Sequence, residues 1–325
     1  MLVELVRIIE FQSGLKLKMP NSVCYSDEKL IITDGGNNRI VVNDKGEEIV
    51  LGGKFGIGKY QFKEPVFSVA NGSLLSVCDW HNQRIVVFKD YKYQYQIGIP
   101  GDTKFSFSRN IYMLVKSMAS NGSFIAKHFP ESNSNRRKFS LKNFIYSLPY
   151  IILNLTFYIS KFRAREFVHK PNGIVILDNY LYFTQKNSKR ICKYSLLMRK
   201  VVSEVDCFKG EKLGRLGQLC SFDEKLYVCD ETNNSVLVFS LDLEPIDRFL
   251  LTSYKIFSIA VTNDLIFTCG ECSFSIFDRY GNLIFESEGG GEYHGISVED
   301  SMLYVCNRLE CRIEIYKIKD YEFRK

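Results

Sequence analysis

The sequence predicts an all-β fold, a six-bladed β-propeller closed by an N-terminal strand, with an α-helical insertion between blades two and three. Three observations predict it. Similar stretches return at a spacing of 45 residues, each copy holds the same order of short strands and polar turns, and residues 101–168 interrupt the period.

The period is plainest in two early copies, LIITDGGNNRIVV at 30–42 and LLSVCDWHNQRIVVF at 74–88, in which Asp34 and Asp79, like Arg39 and Arg84, lie 45 residues apart. LYFTQKNSKRICKY at 181–194 and LYVCDETNNSVLVF at 226–239 repeat the spacing, with Gln185 and Asp230 at the aspartate position. Two later copies, LIFTCGECSFSIF at 265–277 and LYVCNRLECRIEIY at 303–316, have lost that aspartate. Each copy begins with a short apolar strand, turns into a second ending in Asp or a substitute, then gives an alternating third strand and usually a more polar fourth. Four antiparallel strands in such a period make one propeller blade.

The residue types have physical reasons. Innermost strands crowd near the axis, so Gly173 and Gly295 are expected to open two of them. Asp34, Asp79 and Asp230 are placed to accept backbone N–H groups at the turn, and Asn38, Asn82 and Asn234 suit its left-handed conformation. Cys78, Cys229 and Cys306 recur just before the turn or its equivalent, as small buried hydrophobes.

The repeat resembles that of the NHL family, in which a strand ending in Asp is followed by Asn-Arg-Ile or Asn-Arg-Val. Asp34 to Ile40 and Asp79 to Ile85 carry the resemblance, and Phe55 to Phe62 followed by Glu64-Pro65 resembles that family's link between blades. Counting the copies gives six blades, near 20–55, 65–99, 170–207, 215–250, 255–288 and 293–318, with blades five and six assigned on strand order. The last blade has three strands, and the segment 2–11 has no blade of its own. Lending that segment to blade six closes the ring and removes an open edge. The expected organisation is therefore 1–100, blades one and two with the closing strand; 101–168, the insertion; and 169–325, blades three to six.

Net charge is +6, distributed unevenly: residues 101–170 carry +9 and the remainder −3. Within that segment an amphipathic helix is expected around 110–118. A stretch without charge follows from Asn143 to Ser160, holding Ile145, Pro149, Ile151, Ile152 and Phe157. Arg136, Arg137, Lys138 and Lys142 precede it, and Lys161, Arg163 and Arg165 follow it. Positive charge on both flanks argues against a crossing helix and for one lying in an anionic interface. Packing on the propeller itself, or in a partner's groove, are the other readings. Without an export signal at the N-terminus, a reducing cytoplasmic setting is expected, at the cytoplasmic face of a membrane.

Chemistry is sparse. Some propellers resembling NHL proteins are metal-dependent lyases, and His169, Asn172 and His294 near the starts of innermost strands are the weak catalytic candidates. Two imidazoles and two amides (Asn21 being the second) make a thin metal site, so no metal and no cofactor is expected. The pair Cys269 and Cys272 lacks a second pair at zinc spacing. Gly289–Gly291 has no following Lys-Ser or Lys-Thr, so it is not a phosphate loop. Lys89, Tyr91, Lys92, Tyr93 and Tyr95 give only a small basic-aromatic surface for single-stranded RNA. The leading reading is a non-catalytic scaffold, peripherally attached to a membrane and presenting loops to a protein or glycan-pathway partner. An enzyme at the channel mouth is the alternative.

Overall fold

A strand packed on both faces must be apolar almost throughout, whereas one at the rim can alternate. The chain makes this division in every full blade. Second and third strands such as Lys29–Asp34, Arg84–Lys89 and Leu265–Gly270 are buried along nearly their whole length, while the outer strand Lys200–Val205 alternates between exposed and half-buried residues.

The computed structural model describes residues 3–9, 11, 13–44, 46–98, 168–250 and 254–319. They form six four-stranded antiparallel sheets. Five are consecutive meanders, spanning 22–52, 65–97, 171–205, 216–250 and 256–286. The sixth joins Tyr293–Glu299, Met302–Asn307 and Arg312–Ile318 to the N-terminal strand Val3–Ile8, with Val3 opposite Ile318 and Ile8 opposite Glu314. Each innermost strand touches those of both neighbouring blades, from blade one round to blade six and back again. The ring is therefore closed, and the strand from the chain start covers what would have been the last open edge.

Core residues sort into six clusters, one for each pair of adjacent blades. Ile31, Ile40 and Val42 of blade one meet Val77, Val86 and Phe88 of blade two, and Val23, Ile32 and Val41 meet Tyr304, Cys306 and Ile313 of blade six. Stability is thus spread around the ring rather than held in one centre.

Two expectations change in detail. Gly173 and Gly295 are the third residues of their strands, Pro171–Leu177 and Tyr293–Glu299, not the first. Their smallness serves close approach: a Cβ on Gly173 would lie 2.6 Å from the Gln218 Cα, and one on Gly295 2.6 Å from the Ser22 Cα. The left-handed residue of the turn is the one before the arginine. It is Asn38, Gln83, Lys189 and Cys311 in blades one, two, three and six, and Asn234 in blade four, so Asn82 is not it.

The expected helices around 110–118 and across 143–160, with their flanking basic residues, lie outside the described residues. At their border, Val168 belongs to the core between blades two and three, beside Ile97 and Ile174. Among the described residues the 3-10 turn Gly35–Asn37 is the sole helical element, and no helix is long and apolar enough to cross a membrane.

Candidate functional site

Among the described residues, the turns between second and third strands and the links between blades lie at one end of the ring, which we call the link face. The turn carboxylates tie these two kinds of segment together. Lys18 donates its backbone N–H to Asp34 Oδ1 at 2.8 Å, Lys63 does the same to Asp79 at 2.8 Å, and His169 to Gln185 Oε1 at 2.8 Å. In blades one and two the backbone donor is thus in the incoming link, where the sequence had placed it in the turn, and the turn contributes the side-chain amides of Asn37 to Asp34 and of Asn82 to Asp79. Asp230 accepts the backbone N–H groups of Thr232 and Asn233 in its own turn, and Asn307 in blade six accepts that of Glu310. Arginine completes the joint: Arg39 Nε reaches Asp34 at 2.7 Å and Arg84 Nε reaches Asp79 at 2.8 Å. Burial pushes the Asp79 carboxyl up, opposed by the Lys63 N–H, Asn82 and Arg84. Asn82 also donates to the Gly56 carbonyl at 2.7 Å, which is its role in place of a left-handed turn.

Around the channel opening these joints leave a ring of polar side chains. Arg308 is its centre on the side of blades one, two and six. Its guanidinium lies 3.3 Å from Glu292 and 3.7 Å from Glu64, and its Nε donates to Asn21 Oδ1 at 3.1 Å. His81 Nε2 contacts Glu64 at 2.9 Å, and His294 Nε2 contacts Glu292 at 2.6 Å. On the side of blades three and four, buried Glu231 receives Lys186 at 2.7 Å and Arg215 at 3.9 Å. Asn172 donates to the Leu216 carbonyl at 3.0 Å and to Glu231 at 3.4 Å.

His294 is the most perturbed group of this ring. Burial pushes its imidazole down to about 4, against the Glu292 hydrogen bond and helped by Arg308. Burial alone would raise Glu292, but His294 and Arg308 outweigh it and hold that carboxyl below its usual value. At neutral pH the pair is thus a neutral imidazole donating Nε2–H to a carboxylate, with Nδ1 left as acceptor. The Phe257 ring covers the imidazole at 4.7 Å.

Of the three weak candidates, Asn172 and His294 occupy equivalent positions in their strands, whereas His169 sits in the link and is exposed. They engage different partners and form no triad. Among the described residues no group of three or more His, Cys, Asp or Glu side chains is placed to hold a metal ion. Cys269 is buried while Cys272 is exposed, and burial raises the thiols of Cys78, Cys229, Cys269 and Cys306. The aromatic residues of blade two are already engaged: Tyr91 donates to Asp44 at 3.2 Å, and Arg199 stacks on Tyr95 at 4.7 Å. Two small cavities, about 160 and 30 Å³, lie on the flanks between blades rather than at the opening. Pockets for small molecules are usually about 300–1,000 Å³.

Sequence reading missed Arg308, Glu292, Glu64 and Glu231. The signal was present in part: Glu64 precedes Pro65 in the link motif, and Glu292 stands two residues before His294.

No protein-family model matches the chain, and no curated protein matches it. Solved structures do resemble it. A virginiamycin B lyase from Staphylococcus aureus superposes with a TM-score of 0.56 at 11% identity, covering 97% of this chain and 98% of that one. The WD40 β-propeller domain of Doa1 gives 0.56 at 12%, covering 93% and 79%. A streptogramin B lyase gives 0.55 at 13%, covering 96% and 98%. At such identities the likeness is one of fold alone.

Proposed function

We propose that the chain is a non-catalytic propeller scaffold of the NHL type, held peripherally at the cytoplasmic face of an anionic membrane by residues 101–168 and presenting its link face to a protein partner. The observation that carries this reading is the way the segment is attached. The chain leaves blade two at Gly98 and returns at Val168, and a Cβ built on Gly98 would lie 3.0 Å from the Val168 side chain. The two ends meet inside a blade-to-blade core, so the ring closes independently of what lies between them. That intervening segment carries nearly all the excess positive charge, the composition that anionic headgroups select.

The paired state of the opening supports binding over catalysis. Each carboxylate there has a cationic or imidazole partner, and an imidazole with a pKa of about 4 is a poor general base at neutral pH. The test is vesicle binding of the intact chain as a function of salt, beside a variant with Arg136, Arg137 and Lys138 reversed to Glu. Binding that needs phosphatidylserine, weakens with salt and falls in the variant supports the reading. Binding insensitive to all three ends it.

The second reading is an enzyme at the channel opening. It takes support from the Glu292–His294 pair and from the fold shared with virginiamycin B lyase, of which a histidine-to-alanine variant is described as catalytically inactive. A divalent cation between Glu64 and Glu292 would have to displace the Arg308 guanidinium. Loss of a measured lyase activity in His294→Ala would favour this reading.

A further inference from the structure

We infer that the link between blades one and two is a second membrane contact, one that belongs to the propeller itself and inserts Phe55 and Ile57 into an anionic lipid surface. This rests on the peripheral-membrane reading above and adds where the ring touches the bilayer.

The segment 53–63 holds Lys54, Lys59 and Lys63 and no acidic residue. Phe55 and Ile57 are 66% and 64% exposed, and Tyr60 beside them 43%. Two large apolar side chains exposed in one short link among three lysines make a compact apolar and basic tip. Within the link Lys54–Phe55 pairs with Gln61–Phe62, and Gly56 N–H is held by the Phe62 carbonyl at 3.2 Å. The link's buried anchor is Phe62, which fills the core between blades one and two.

The backbone beneath these side chains is held rigidly. Arg84, 1% exposed, donates Nη1 to the Ile57 carbonyl at 2.7 Å, and Nη2 to those of Gly58 at 2.9 Å and Gln61 at 2.6 Å. Asn82 takes the Gly56 carbonyl, and Gly58 N–H is held by Gln61 Oε1 at 3.0 Å. A surface loop clamped by a buried arginine shows its apolar side chains in one fixed arrangement, so little ordering cost remains on binding. Lys63 lies over the Phe55 ring at 5.4 Å and Lys59 over Tyr93 at 5.4 Å, so both ammonium groups sit beside aromatic surface. Aromatic and aliphatic tips flanked by lysines match the acyl–headgroup boundary of an anionic bilayer. Ile57 has no π-face, which makes stacked nucleic-acid bases the poorer match.

Position agrees. This link, and Gly98 and Val168 at the described ends of the neighbouring one, lie on the same link face of adjacent blades. A second exposed apolar pair, Leu197 and Met198, 76% and 66% exposed, lies in a turn between third and fourth strands, at the opposite end of the ring. It is the natural control.

The experiment uses the full chain and vesicles of phosphatidylcholine with phosphatidylserine, with pure phosphatidylcholine and single-stranded oligouridine as reference ligands. Phe55→Ser with Ile57→Ser is expected to weaken binding to the anionic vesicles about tenfold or more, while Leu197→Ser with Met198→Ser leaves it unchanged. Lys54→Glu with Lys59→Glu is expected to weaken it as well and to reduce its salt dependence. Equal losses in both Ser pairs, no loss in the Phe55 and Ile57 pair, or a loss confined to oligouridine overturns the inference while the intact chain still binds vesicles. Failure of the intact chain to bind at all overturns the membrane reading with it.

Discussion

Arg312 donates its Nε to Glu314, two residues further along the same strand, at 2.7 Å. In blades one and two the corresponding arginine reaches back to the aspartate that ends the preceding strand, but blade six has Asn307 there. The carboxylate has moved into the third strand, where it also accepts from Asn307 at 3.0 Å and from the Tyr316 hydroxyl at 2.7 Å. Blade six thus keeps the joint with its charges rearranged. Glu314→Ala is expected to cost about 2–4 kcal/mol, because three donors lose a shared buried acceptor. Urea denaturation measures it, and a loss below about 0.5 kcal/mol would remove Glu314 from that role.

The three arginines of blades one to three should differ in the order of their burial. Arg84 is buried with buried Asp79, Arg39 is partly covered, and Arg190 pairs with Glu204 across an outer strand with both side chains largely exposed. Replacement by Met is expected to cost about 3–5 kcal/mol at Arg84 and under about 1 kcal/mol at Arg190, with Arg39 between. Equal costs would mean that the arginines act through surface charge rather than by clamping the links.

His294 should make stability pH-dependent. Its folded pKa of about 4 lies below the ordinary 6.5, so the unfolded chain binds the extra proton between those values. Stability from this group is fully present above about 6.5 and is lost as pH falls toward 4, by up to about 3 kcal/mol. The groups facing it are Glu292, Arg308, Phe257 and, at longer range, Lys186. Glu292, also lowered, adds a loss of the same sign at still lower pH. Denaturation midpoints at pH 7.5 and 5 should diverge less in His294→Gln than in the natural chain, and parallel shifts would contradict the assignment.

Gly295→Ala places a methyl carbon 2.6 Å from the Ser22 Cα and 2.8 Å from the Val23 nitrogen. Neither is the end of a flexible side chain, so the joint between blades six and one must open. A loss of about 1–3 kcal/mol is expected, read by thermal melting. An unchanged melting temperature would show slack in the ring.

The blades could be read in the sequence because strand order and the aspartate–arginine spacing are local. Blade five was assigned without either motif residue, from strand order around LIFTCGECSFSIF at 265–277, and that stretch forms the strands Leu265–Gly270 and Phe274–Asp278. The closing strand was legible because an unpaired segment at one end matched a missing strand at the other. The opening was not legible, since its pairs join distant residues: Glu64 with Arg308, Asn172 with Glu231. No short pattern encodes such contacts, and Arg308 occupies a turn position that is Gly35 in blade one. The membrane-facing assignments of Ile145, Pro149, Ile151, Ile152 and Phe157 lie outside the described residues and stand as proposals.

The most direct test is flotation with phosphatidylserine vesicles of the intact chain beside one in which residues 101–166 are replaced by a short Gly/Ser linker. Because Gly98 and Val168 already meet, the shortened chain should keep its cooperative unfolding. The account predicts that the intact chain floats and that the shortened one floats far less, retaining only the weak contact through Phe55 and Ile57. Equal flotation of the two, or none by either, would contradict it.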